Sequence, residues 1–224
     1  MSSSFPSLLA DTIKQNEIFL SSNLLIKDGF FEIIELMNDA IDFMPKDDHD
    51  LKDPWTEFVL NGMFPLSYGI YSGILCGNTI ILHMQLRLLL EYFVLTMSAE
   101  KISGDHLLEK FEQARLDYNG KRISDIIREF DTEIYHMWKK ASEWHHAKSY
   151  SHKVEQITIN EKAKLWSVIQ PAIYSEEDIP ELTDFFDEIK KFRNALDKHT
   201  HNKKSNREQQ TLTDQKQLNL HGDS

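Results

Sequence analysis

Charged and histidine side chains on otherwise apolar helix faces are where this sequence concentrates its chemistry. On the last helical stretch, Leu182, Phe186, Ile189 and Leu196 fall within an arc of about 80° at helical spacing. Arg193 falls inside that arc, about 20° from Leu182. His199 lies on its margin, beside Phe192. An arginine placed there either snorkels, covering core with its stem while its head reaches water, or has a functional or buried structural role. A second group is His83, Arg87 and Glu91, spaced by four along one stripe of an apolar run. Arg87 and Glu91 can pair within the helix, but Arg before Glu is the weaker orientation for helix stability. The pair is therefore expected in a buried polar network or a site. His145 continues the stripe of Ile127, Ile134 and Ala141 and faces inward, as a hydrogen-bonded core histidine or as a ligand or base. His83, Arg87, Glu91 and His145 are expected to meet as a buried polar cluster, with Arg193 a candidate to join them.

No metal centre and no cofactor are expected. Glu133-Ile134-Tyr135-His136 and Glu143-Trp144-His145-His146 both match Glu-x-x-His. Di-iron bundles need that motif on two different helices, with single glutamates from two more. Here both copies share one helix, and Glu133, His136, Glu143 and His146 point off its core face. The acidic run at 46–53 lacks recognisable ligand spacing and reads as a solvated loop. The sequence contains no P-loop, GxGxxG, HExxH or nucleophile elbow.

The elements that must position these residues are helical. The chain has 224 residues, 41% of them hydrophobic, with only 8 Gly and 6 Pro. Helical spacing recurs while strand-like alternation is scarce, so the expected class is all-α, a bundle of about six to seven helices. Residues 66–99 are expected to form its buried central helix, with a bend near Gly77-Asn78, because no Asp, Glu, Lys or Arg occurs from Phe58 to Leu86. Gly69, Gly73 and Gly77 form a ladder of small residues that allows close helix approach. Other helices are expected at 7–25, 30–44, 105–117, 121–147 and 160–172, and a last one starts near Pro180. Asp28-Gly29 is expected as a break. Leu107, Leu108, Phe111 and Ala114 are expected inward. Residues 1–200 read as one domain, and 201–224 as a polar tail too poor in apolar surface to order.

A net charge of -11 argues against a generally basic nucleic-acid binder, although Lys190, Lys191, Arg193, Lys198, Lys203, Lys204 and Arg207 make the end of the chain locally basic. The single Cys76 fits a reducing cytoplasm. The N-terminus lacks the basic start and apolar block of a secretory signal. The stretch from Leu66 is interrupted by Asn78, His83 and Gln85, and reads as a core helix rather than a membrane span.

Arg193-Asn194-Ala195-Leu196-Asp197-Lys198-His199 resembles the signature of the HEPN superfamily, an Arg, often followed by Asn, with a His four to six residues on. The motif on the last long helix, the inner LRLLLE helix and the later SEWHH segment are also similar to HEPN-like bundles, over about residues 66–200. The aromatic residue that often follows the family's His is absent, since Thr200-His201-Asn202 follows here. The resemblance implies two functional alternatives: a binding or interaction protein, nucleotide- or RNA-related, or a metal-independent endoribonuclease. In the second, His199 would act as base or acid on a ribose 2′-hydroxyl, Arg193 would bind phosphate, and Asn194 would orient the site. It also implies a homodimer. A purely structural helical domain is the third reading.

Overall fold

The computed structural model describes residues 5–44, 53–104, 106–117, 121–143 and 172–220. Among these the protein is all α, with no strand. Helix α1 spans Phe5–Ser22 and α2 Lys27–Asp42. Helix α3, Pro54–Phe58, passes through one π-helical turn, Val59–Met63, into α4, Phe64–Leu75. Then come α5 (Thr79–Ala99), α6 (Leu107–Asp117), α7 (Ile123–Phe130) and α8 (Thr132–Glu143). A 3-10 turn, Glu176–Asp178, leads into α9, Ile179–Leu220.

The central stretch is not one helix but a hairpin. Gly77 has φ +67, a left-handed conformation that costs glycine nothing, and a Cβ there would lie 1.9 Å from the carbonyl oxygen of Ala172. The Asn78 side chain then caps α5 by accepting from the Ile81 amide at 3.2 Å. The glycine ladder lies in the fold-back: a Cβ on Gly69 would meet Gln85, and one on Gly73 would meet Ile81 and Leu82. Pro65 lies inside this continuous helix. It follows the π turn, whose wider backbone leaves room for the proline ring against the preceding turn. The continuous helix Pro54–Leu75 is long and apolar enough to cross a membrane by length and composition, and half of its most apolar window is buried in the fold.

Asn16 ties this bend to two other segments. It is fully buried and donates to the carbonyls of Leu75 (2.9 Å) and Ala172 (2.8 Å), and it accepts from the Tyr174 amide at 2.9 Å. The approach to α9 is thereby strapped across α1 and the hairpin.

Helix α5 is the centre of the bundle. The Phe93 ring meets Trp55 (6.4 Å between centroids), Phe58 (5.7 Å), Phe130 (6.0 Å) and Phe192 (5.7 Å), so α3, α7 and α9 converge on one residue. Such buried aromatic groups contribute both area and edge-to-face attraction.

Three further expectations need correction. Asp28 and Gly29 lie inside α2, and the break falls at 23–26 instead. Gly29 is where α9 crosses, since a Cβ there would sit 2.5 Å from the Phe186 ring. The helix expected at 121–147 is interrupted at Asp131, whose backbone is extended (φ -158, ψ 126). Leu108, expected inward, is 77% exposed, while Ala114 is buried. The helical backbone of α9 runs on to Leu220, through residues read as a disordered tail. That segment holds no proline, and its first glycine is Gly222, so a helix already nucleated upstream meets no breaker. The acidic loop at 46–52 and the helix expected at 160–172 lie outside the described residues, Ala172 excepted.

Candidate functional site

Arg193 reaches back to α2, more than 150 residues earlier in the chain. Its Nε donates to Asp39 at 2.8 Å and its Nη1 to Glu32 at 2.5 Å, with Glu35 at 3.9 Å from Nη2. The Arg193 side chain is 22% exposed. Burial opposes its charge, but the hydrogen bonds to Asp39 and Glu32 outweigh that and raise its pKa above the ordinary value. Asn194, the next residue, is exposed.

His199 faces another neighbour. Six residues along a helix turn through about 240°, and His199 meets the α7–α8 junction. Its Nε2 lies 3.4 Å from Oδ2 of Asp131, and its ring lies 4.7 Å from that of Phe130 and 5.9 Å from Phe93. Asp131 is the organising residue here. Its Oδ1 accepts from the amides of Glu133 (2.8 Å) and Ile134 (3.3 Å), capping α8. Its Oδ2 accepts from Lys198 Nζ at 2.8 Å. Burial alone would raise the Asp131 pKa; the hydrogen bonds from Lys198, the two amides and His199 win, and hold it at about 2.

His83, Arg87 and Glu91 share a stripe of α5 but not an environment. His83 is 3% exposed and packs edge-on against Phe185, 5.2 Å between centroids. Arg87 and Glu91 are paired at 2.8 Å and about a quarter exposed. Glu91 Oε1 also accepts from Trp138 Nε1 at 2.7 Å, and Arg87 lies 5.5 Å from the centre of the Trp138 ring. The pair is thus a clamp between α5 and α8. His145 lies outside the described residues. The contacts of Arg193 are with α2, and those of Arg87 are with α5 and α8, so the two arginines serve different seams.

A cleft of about 490 Å³ opens between α8 and α9, lined by Thr132, Glu133, His136, Met137, Lys140, Glu188 and Lys191. Its lysines are neutralised. Glu188, with 6% of its side chain exposed, accepts from Lys140 at 3.1 Å and Lys191 at 2.9 Å, and Lys140 also pairs with Asp184. No cluster of three or more His, Cys, Asp or Glu suited to a metal occurs among the described residues.

Sequence reasoning missed Asp131, Trp138, Glu32 and Asp39. Only Asp131 left a usable signal: Asp is a favoured N-cap, but the apolar stripe from Ile123 to Ala141 keeps its phase across the break and hides it. The chain has no match among protein-family models, curated proteins or solved structures.

Proposed function

We propose that this chain is a HEPN-like helical-bundle binding or interaction protein, nucleotide- or RNA-related, rather than a nuclease. The observation that supports this reading most directly is the engagement of Arg193 by Glu32 and Asp39. A guanidinium already balanced by two carboxylates has little charge left for a phosphate, and turning it outward would leave both carboxylates unpaired. Its separation from His199 around the helix argues the same way.

The metal-independent endoribonuclease keeps one favourable feature. Asp131 lies beside His199 in the manner of a carboxylate that orients a catalytic imidazole. Incubation of the purified protein with labelled single-stranded RNA in EDTA separates the two readings. The interaction reading expects intact RNA. Cleavage that disappears in both His199→Ala and Arg193→Ala would overturn it in favour of the enzyme.

A further inference from the structure

The cleft between α8 and α9 has a different character at each end. Glu133 and Lys140 are just under two turns of α8 apart, about 10 Å of rise, so both lie on one face of that helix. Met137, 1% exposed, lies between them and gives the cleft an apolar floor. At the Lys140 end, Glu188 enters from α9 and accepts from Lys140 at 3.1 Å and from Lys191 at 2.9 Å. With only 6% of its side chain exposed, this carboxylate holds both ammonium groups at the cleft wall. The charges at this end balance once Asp184 is counted, but the hydrogen bonds do not. An ammonium group has three N–H bonds. Among the described residues Lys140 uses two, on Asp184 and Glu188, and Lys191 uses one, on Glu188. Burial opposes the charge of Lys140, but the two carboxylates outweigh it, so Lys140 keeps its proton. The opposite end is an acceptor without donors. Among the described residues the Glu133 carboxylate accepts no hydrogen bond, and only its backbone amide is engaged, by Asp131 at 2.8 Å. Lys198 feels the charge of Glu133 but donates to Asp131 instead.

We propose that this cleft binds a small extended zwitterion of the ω-amino-acid type, its carboxylate taking the spare N–H bonds of Lys140 and Lys191 and its ammonium reaching Glu133. The helix sets the length. The rise between the two anchors, less the reach of their side chains, leaves room for about five methylenes over Met137. The cleft volume of about 490 Å³ is that of an ordinary small-ligand site. Charge excludes the symmetric alternatives. A dicarboxylate would set its second carboxylate against Glu133, and a diamine would set its second ammonium against Lys140 and Lys191; like charges brought together disfavour both. A phosphate would meet Glu188 and Asp184, which already balance the lysines. The site uses neither Arg193 nor His199, so its test is independent of the RNA assay.

The full chain labelled with 13C-methyl methionine reports on the floor of the cleft by NMR, the Met137 signal being assigned from Met137→Leu. Titration with 6-aminohexanoate is expected to move that signal saturably, with an affinity about tenfold or more above that for adipate or 1,6-diaminohexane. Glu133→Gln and Lys191→Gln, both at exposed positions, should each weaken 6-aminohexanoate about tenfold while the circular dichroism melt stays close to wild type. Glu133→Lys should reverse the preference, so that adipate binds better than 6-aminohexanoate, which loss of a structural contact would not do. A Met137 signal unmoved by all three probes overturns the proposal. So do equal affinities for the three, and so does 6-aminohexanoate binding that is unchanged in Glu133→Gln or Lys191→Gln.

Discussion

Arg193 and Arg87 sit on apolar helices of the same bundle and look alike in sequence, yet they do different work. Arg87 pairs with Glu91, one turn along its own helix, and rests on Trp138. Arg193 pairs with Glu32 and Asp39 on α2. The local pair forms with little ordering of the chain but is worth little, since both ends already share one helix. The long-range pair joins two elements and faces a different penalty. Removing its arginine leaves two carboxylates close together in a partly desolvated seam. The comparison teaches that an inward arginine is informative only through its partners, and those are set by helix crossing rather than by spacing.

The largest effect is expected at the α2–α9 seam. Arg193→Met should lower unfolding stability by about 3 kcal/mol in urea titrations, because it strands Glu32 and Asp39. Adding Glu32→Gln and Asp39→Asn should recover a good part of that loss. If the triple variant is no better than Arg193→Met, repulsion between stranded carboxylates is not the cause. Gly29→Ala tests the same seam through packing. With Phe186 carbons 2.5–2.7 Å from the new Cβ, α9 must shift, at a cost of about 2 kcal/mol. An unchanged melting temperature would mean that the seam yields freely.

Asp131 supplies an intermediate case, a cap that also holds α9. Asp131→Asn should cost about 1 kcal/mol at neutral pH. Its folded-state pKa of about 2 lies below the ordinary unfolded value, so its contribution is present above about pH 4 and lost as the pH falls toward 2. The stability gap between wild type and Asp131→Asn should therefore narrow across that window. A gap independent of pH would show that the carboxylate charge is not what matters.

The smallest effect is expected from the local pair. In a double-mutant cycle, Arg87→Met and Glu91→Gln should couple by no more than about 0.5 kcal/mol. A coupling as large as that of Arg193 with Asp39 would erase the contrast between the two arginines.

The fold class was legible because helical periodicity reports burial directly. Leu182, Phe186, Ile189, Leu196, Ile127 and Ile134 are core residues by spacing and in the structure alike. The Arg87–Glu91 pair was also legible, being a matter of four residues on one helix. What the sequence did not reveal were contacts between elements: Asp39 with Arg193, Asp131 with Lys198 and His199, Glu91 with Trp138. Nor did it separate breaks from crossings. Gly29 looked like a stop and is a helix contact, while Asp131 looked like mid-helix and is a cap. By itself, then, the sequence determined most of the buried positions, Leu108 being an exception, and that they lie on helices, because those properties repeat with a local period. Only the tertiary structure decided that residues 64–99 fold back at Gly77, and that Arg193 and His199 answer to different neighbours. Each of those outcomes depends on which helices cross, a choice made by the free energy of the whole packed core and not by any one segment.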